Sequence, residues 1–199
     1  MKPPVDIVGE TSFSPRRDSA NDHPTLSVRL AEASDKAALR AAVVELHEAA
    51  RGFHDSHLPG EETADAYLAW MLAAAAHDGA VFVAEADGVF AGFAAGWVVQ
   101  EQYIEETPDS NRFGYISDVC VLPAFRGRRI AARLLEALEL RLSLNGIKRI
   151  RLSALAANKA ARTSYERLGY AAYQIVYEKA ARDPDVPSAA SAAQRASER

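Results

Sequence analysis

Apolar and polar residues alternate along the middle of the chain with two different periods, and each period predicts one kind of element. Residues 26–30 and 115–121 alternate one by one, as half-buried strands do. Residues 34–50 repeat their apolar positions every three or four residues, which is typical of an amphipathic helix. In chain order, the patterns predict strands at 26–30, 81–85, 89–99, 115–121, 149–155 and 170–178, and helices at 34–50, 63–76, 128–144 and 158–168.

Turn and cap residues separate these elements. Asp87 and Gly88 predict a tight hairpin turn, because both residues tolerate the backbone that such turns need. Gly146 and Gly169 predict the ends of two helices. The order βααβββαβαβ predicts an α/β (α+β) fold, in which a mixed sheet carries helices on both faces.

One domain over residues 26–179 accounts for all of these elements, and the length of 199 residues suits a single domain. Residues 1–25 and 180–199 lack a sustained apolar period. They are therefore predicted to form a flexible N-terminal arm and a flexible C-terminal tail.

Charge and cysteine content narrow the function classes. With 23 Lys and Arg against 27 Asp and Glu, the net charge of -4 gives no overall basic field, which argues against nucleic acid as the main partner. The single cysteine, Cys120, cannot form an internal disulfide. The chain begins without a signal-peptide pattern, and the apolar run over 70–76 is too short to span a bilayer. These features predict a soluble cytoplasmic protein that does not bind a membrane.

Positive charge is concentrated in one segment, LPAFRGRRIAARLLEAL, where a predicted strand leads through a short loop into a predicted helix. Free N–H groups converge at such a helix start and attract anions. Arg126, Arg128 and Arg129 add charge there, although cations alone destabilise a helix N-terminus. Gly127 and Ala131 are small enough to let a bulky anion approach the backbone. The segment predicts a pyrophosphate site; the alternative is a solvated basic surface.

The same segment resembles the acyl-CoA-binding signature Q/R-x-x-G-x-G/A of the GNAT N-acetyltransferase superfamily. Arg126 matches its first position and Ala131 its last, whereas Arg129 stands where the family usually has glycine. A negative φ is predicted for Arg129 in the first helical turn, so that its amide still donates. Downstream, NKAARTSYERLGY resembles the segment N-x-x-A-x-x-x-Y-E-x-x-G-F/Y of the family, and the resemblance covers about residues 26–179.

The resemblance implies a direct transfer of the acetyl group of acetyl-CoA to an amine, without a metal. The residues implied in cofactor binding are Cys120, Val121, Arg126, Gly127, Arg128, Arg129, Ile130, Ala131, Asn158 and Tyr165. A backbone N–H near Cys120 or Val121 would stabilise the oxyanion. Tyr165 matches the position that protonates the thiolate, a transfer uphill by only about 2 kcal/mol for a phenol of pKa ~10 and a thiol of pKa ~8.5. The alternative for Tyr165 is a packing role on its helix, and Cys120 is predicted to pack rather than to act as a nucleophile.

The acceptor amine must lose a proton before it attacks, and Asp118 and Glu101 are the candidate bases, directly or through water. Glu105, Glu106 and Asp109 are candidates for attracting a cationic amine, so a small cationic amine is the favoured acceptor. A protein N-terminus or lysine, and a non-catalytic acyl-CoA-binding module, are the alternatives. His47, His54 and His57 are interpreted as loop or surface histidines rather than metal ligands. A homodimer is also expected.

Overall fold

The computed structural model describes residues 25–181. The chain divides into two compact units, Met1–Lys159 and Ala160–Arg199. The predicted arm before Thr25 and the predicted tail beyond Ala181 lie outside the described residues.

The described part of the first unit is built on a five-stranded mixed sheet with the strand order β1-β2-β3-β4-β5. The strands are β1 (Leu26–Leu30), β2 (Ala80–Ala86), β3 (Val89–Gln100), β4 (Arg112–Val121) and β5 (Ile150–Leu152). The helices are α1 (Lys36–Arg51), α2 (Gly60–Ala75), α3 (Pro108–Asn111) and α4 (Ile130–Ser143), and α5 (Lys159–Arg167) begins at the last residue of this unit. The first three strand pairs are antiparallel, and β4 pairs with β5 in parallel.

Helices cover both faces of the sheet, as predicted. Ala95 and Phe93 point to one face, where they join a buried cluster with residues of α1 and α2 such as Leu39 and Leu68. The next residue, Gly96, faces the other side, where a side chain would meet Leu138 of α4. Because successive residues of a strand point to opposite faces, the two contacts place α4 opposite α1 and α2.

The turns behave as their residues predict. Asp87 and Gly88 take φ values of 53° and 76° between β2 and β3, and this positive φ is what a two-residue hairpin turn requires. No helix within residues 25–181 combines the length and the apolar character that crossing a bilayer requires.

Strands β4 and β5 separate in the middle of β4. Their pairing covers only Gly114 to Ile116 of β4, whereas β4 continues to Val121. On its other side, β4 shifts register against β3, since Gly96 pairs with Ile116 and Ala95 with Asp118. Ser117 is therefore an extra residue, and a bulge of this kind bends its strand. Within residues 25–181, no strand pairs with this side of the second half of β4, and this part of the sheet is called the splay below.

The strand predicted at 170–178 is not formed, and that prediction is wrong. In the second unit, α5 ends at Arg167 and Gly169 takes a φ of 93°, as its predicted role at a helix end requires. The following residues, up to 181, have no regular secondary structure. Alternating side chains give a period, but a strand also needs a neighbouring strand to exchange backbone hydrogen bonds. Within residues 25–181 the sheet ends at β5.

Candidate active site

The splay exposes backbone groups of β4. The N–H of Leu122 donates to the carbonyl of Ala91, across to β3, at 2.9 Å. Because N–H directions alternate along a strand, the N–H of Cys120 also faces β3, and the N–H of Val121 faces the side where β5 has ended. Of the two backbone donors predicted from the sequence, the alternation thus places that of Val121 at the splay.

The side chain of Cys120 belongs to the core. It is 5% exposed, and its thiol lies 3.5 Å from the carbonyl oxygen of Ala42 in α1. Burial raises the pKa of this thiol to about 12, so it stays protonated at neutral pH. The prediction that Cys120 packs in the core is confirmed, and its exclusion as a nucleophile stays a prediction.

The loop after β4 has an unusual backbone. It passes through a short 3-10 turn (Pro123–Phe125), and Gly127 then takes a φ of 79°. Arg129 takes φ 61° and ψ 17°, so the negative φ predicted for it is wrong. The reason is that α4 begins at Ile130, two residues later than predicted, and Arg129 lies before its first turn. Left-handed residues on either side of Arg128 turn successive N–H groups toward a common point, which is a typical anion-binding arrangement.

The three arginines of this loop are exposed, and the contacts of two of them are defined. Arg126 forms an ion pair with Glu45 of α1 at 3.0 Å, and its Nε donates to the carbonyl of Val121 at 3.1 Å. The guanidinium of Arg128 lies 5.5 Å from the centroid of the Phe125 ring. The loop therefore presents positive charge beside the end of β4, where the sequence predicted it.

The first turn of α4 anchors this loop. Ile130 is buried and Ala131 is half-buried, so the backbone of the turn is held against the fold. The first N–H groups of any α-helix lack a partner within that helix and are open to a ligand. At 127, where a side chain would meet no atom within 4 Å, the positive φ is what favours glycine.

Two further residues of the predicted cofactor site lie near the chain segment that joins the units. Asn158, in the first unit, donates its backbone N–H to the carbonyl of Leu155 at 2.9 Å. Tyr165, in the second unit, accepts the N–H of Tyr170 at its carbonyl, and the two rings are 6.1 Å apart. The cofactor roles of both residues stay predictions.

Asp118 is a buried carboxylate at the start of the splay. It is 5% exposed, and both of its oxygens accept hydrogen bonds from hydroxyl groups. Tyr67 of α2 donates to Oδ1 at 2.8 Å, and Ser117, the bulge residue, donates to Oδ2. Burial raises the pKa of Asp118 above its usual value, against the lowering effect of the two hydroxyl groups. A buried carboxylate of raised pKa at a strand bulge is suited to accept a proton.

His47 of α1 contacts Tyr67, with the two rings edge to face at 4.6 Å. Its Nδ1 is 2.8 Å from the hydroxyl oxygen of Thr63, which in turn donates to the carbonyl of Pro59 at 3.2 Å. Burial lowers the pKa of His47, so the ring is neutral at neutral pH.

Four aromatic rings form a continuous row that starts at Asp118, and we call this set the aromatic row. Its members come from α2, β3 and β4, and neighbouring centroids are 5.2 Å, 5.2 Å and 6.1 Å apart. In order, the rings are Tyr67, Trp70, Trp97 and Tyr115. Tyr67 and Trp70 lie in the helix predicted over 63–76, and a helical period does not by itself distinguish core aromatic residues from a binding surface. The available signal was the spacing of two aromatic residues by three positions in an alanine-rich segment.

The structure does not bring the two candidate bases together. Asp118 pairs with Ala95 of β3, whereas Glu101 follows the end of that strand and donates its N–H to Asn111 at 2.7 Å. The six residue-to-residue steps from Ala95 to Glu101 span about 20 Å at the usual rise of an extended strand. Asp118 is the base candidate that lies at the splay.

The acidic loop between β3 and β4 is partly neutralised by arginines. Asp109 forms an ion pair with Arg149 at 3.0 Å. Glu106 lies 3.6 Å from Arg151 and accepts a hydrogen bond from Ser110. Two of the three carboxylates that were expected to attract a cationic acceptor therefore already have cationic partners.

Comparisons with known proteins find the same fold in solved structures. One solved relative is the aminoglycoside N-acetyltransferase AAC(6')-Iy in complex with CoA, which is 21% identical, covers 81% of this chain and 97% of that one, and has a TM-score of 0.61. A mutant of the BH1408 protein from Bacillus halodurans is 21% identical, with coverages of 78% and 99% and a TM-score of 0.67. A predicted acetyltransferase with acetyl-CoA from Clostridium acetobutylicum is 22% identical, with coverages of 78% and 96% and a TM-score of 0.60. At such identities the likeness shows the fold.

No curated protein matches the chain. The model of the acetyltransferase (GNAT) family matches residues 40–170, which include β4, the arginine-rich loop and the segment from Asn158 to Tyr170. The prediction of an acetyltransferase is thereby confirmed, and the chain belongs to the acetyltransferase (GNAT) family.

Proposed function

We propose that this chain is an N-acetyltransferase that moves the acetyl group of acetyl-CoA to a primary amine, by direct attack of the amine on the thioester. The observation that carries the proposal is the splay at Ser117, where no strand from residues 25–181 pairs with the side of β4 that the N–H of Val121 faces, next to an arginine-rich loop. A carbonyl group in the splay would find a fixed donor there as negative charge develops on its oxygen.

The loop residues fit the pyrophosphate of CoA. The amides of Gly127 to Ala131 come from a left-handed turn and a free helix start, and both geometries bind phosphate oxygens. The guanidinium groups of Arg126, Arg128 and Arg129 supply the opposite charge. Asn158 is proposed to contact the cofactor on the strength of its motif.

Residues of this chain can carry out the proton transfers that the reaction needs. The amine arrives as an ammonium ion and gives one proton to the carboxylate of Asp118, directly or through water. The free amine forms a C–N bond with the thioester carbon, and the C–S bond breaks. Tyr165 is proposed to protonate the leaving thiolate, a role that rests on its motif, and the second proton that the nitrogen loses as it becomes an amide restores the phenol of Tyr165. The proton left on Asp118 then returns to solvent.

Calorimetry with acetyl-CoA tests the cofactor site. The wild type should bind with a micromolar Kd, and Gly127→Glu should abolish binding, because it introduces a carboxylate where the pyrophosphate would lie. Gly146→Glu is the matched control: residue 146 also has a positive φ and open space, but it follows the far end of α4. A wild type that binds no acetyl-CoA would overturn the proposal.

The acceptor is proposed to be a small cationic amine. Asp118 offers a carboxylate to a positive charge at the point where the attacking nitrogen must lose its proton.

A homodimer in the cytoplasm stays part of the proposal. Size-exclusion chromatography with light scattering tests the dimer, for which twice the chain mass of 21.5 kDa is expected.

A further inference from the structure

We infer that the acceptor is an arylalkylamine: a primary amine with a single positive charge, carried on a short alkyl chain by an aromatic ring. Its ammonium group would bind beside Asp118, and its ring would lie against the aromatic row. The inference rests on the proposed function, because it concerns the acceptor side of the same site.

The rings of the aromatic row contact one another in regular geometries. Trp70 and Trp97 stand edge to face at an interplanar angle of 88°, and Tyr115 lies opposite Trp97 in the register of β3 and β4. Interplanar angles and centroid distances in this range are those of interacting rings. Three separate elements thus present their aromatic residues to one another.

Core packing explains only part of this row. Tyr67 and Trp97 pack against the buried cluster beneath α1 and α2. Trp70, in contrast, is 50% exposed, although its indole is one of the largest apolar side chains. An indole that is half open to solvent and flanked by two other rings is a surface on which a planar apolar group can lie.

The row ends at a carboxylate whose partners are hydroxyl groups. Tyr67 belongs to the row through its ring and donates to Asp118 through its hydroxyl group. An ammonium group beside Asp118 therefore meets a carboxylate on one side and aromatic faces on the other. Both kinds of group attract a cation, and a desolvated site strengthens the attraction.

The distribution of the other charges favours one positive charge over several. A polyamine needs further carboxylates at a distance from Asp118. In the acidic loop, Asp109 and Glu106 face Arg149 and Arg151, which would repel an additional cation. The ring of an arylalkylamine can pack against the rings of the aromatic row. A polyhydroxylated amino sugar would instead place its hydroxyl groups against ring carbons, where they lack hydrogen-bond partners.

Steady-state release of CoA with three amines tests the inference. The probes are 2-phenylethylamine, glucosamine and spermidine, each with the wild type, Trp70→Leu and Trp70→Phe. We expect the highest kcat/KM for 2-phenylethylamine. Trp70→Leu should raise its KM about tenfold, as expected for the loss of one aromatic contact, and Trp70→Phe should restore most of the loss. Leu72→Ala removes another exposed apolar side chain of α2 and should change the KM by less than about twofold.

Each other result has a distinct meaning. Equal or better turnover of glucosamine or spermidine, unchanged in Trp70→Leu, would overturn the inference and leave the proposed function standing. Binding of acetyl-CoA without turnover of 2-phenylethylamine would also overturn it. If acetyl-CoA does not bind the wild type, the proposed function itself fails, and calorimetry on the same preparation detects this.

Discussion

At the scale of single residues, opposing influences act on the pKa of Asp118. Burial raises this pKa, and the hydroxyl groups of Ser117 and Tyr67 lower it, followed by the nearby His47. Burial is the largest of these effects, so the carboxylate binds its proton more tightly than a surface aspartate does. Tyr67 therefore tunes the base as well as holding it in place.

Replacing Tyr67 should move the acid limb of the pH–rate profile. Activity needs the deprotonated form of Asp118, so kcat/KM rises as pH rises through its pKa. Tyr67→Phe removes a hydrogen bond that lowers this pKa, and we expect the limb to move to higher pH. The measurement is kcat/KM against pH with one amine at saturating acetyl-CoA.

Two variants control this profile. Asp118→Asn should remove the limb and lower kcat about a hundredfold or more, while acetyl-CoA still binds. Glu101→Gln should keep the limb, since this residue lies about 20 Å along the sheet from Asp118. If the acid limb is lost in Glu101→Gln but kept in Asp118→Asn, then Glu101 rather than Asp118 is the base.

At the scale of elements, the loop between β4 and α4 holds a conformation that its sequence resists. Arg129 is in the left-handed region, where an L-residue with a side chain is strained by about 1–2 kcal/mol. The family signature usually has glycine at this position, and glycine adopts that backbone without strain. Arginine in place of glycine at position 129 thus lowers the stability of the fold, while it keeps a positive charge beside the predicted pyrophosphate site.

Arg129→Gly should stabilise the fold. Relief of the strain exceeds the extra backbone entropy that glycine has in the unfolded chain, and we expect a net gain of about 0.5–1 kcal/mol in the free energy of unfolding. Urea unfolding followed by circular dichroism measures it. Arg128→Gly removes the same charge at a position of negative φ and should bring no gain. Equal losses in both variants would contradict the left-handed assignment of Arg129.

The elements that could be predicted are those whose signal is local. The strand over 115–121 and the helix over 34–50 follow from the side-chain period alone, and the structure contains both within a few residues. The strand over 170–178 had the same period, yet a strand depends on a partner that the period does not specify. The start of α4 was placed too early, because the charged residues before Ile130 are compatible with both a loop and a helical turn.

The candidate site was predictable where a motif marks it. The arginine-rich loop and Asp118 were identified from the sequence. The contact of Tyr67 with Asp118 joins residues 51 positions apart, and only the packing of α2 on β4 brings them together. The aromatic row has the same origin, since it collects residues from three elements.

At the scale of the whole molecule, a net charge of -4 opposes the binding of a polyanion such as CoA. Salt screens the repulsion between the protein and CoA beyond a short range, since the screening length is about 10 Å at 0.1 M ionic strength. Cofactor affinity therefore depends on charges within that distance of the loop. The ion pair between Arg126 and Glu45 lies within it, because Arg126 belongs to the loop itself.

Glu45→Gln should tighten acetyl-CoA binding, because it removes a carboxylate that competes with phosphate for Arg126. The ion pair is largely exposed and therefore weak, so we expect the Kd to fall about two- to fivefold at 0.1 M salt. At 1 M salt the screening length is about 3 Å and the gain should shrink. Asp78→Asn changes the net charge equally near the far end of α4, about 21 Å from the loop, and should leave the Kd unchanged. A higher Kd for Glu45→Gln would mean that Glu45 orients Arg126 toward the cofactor.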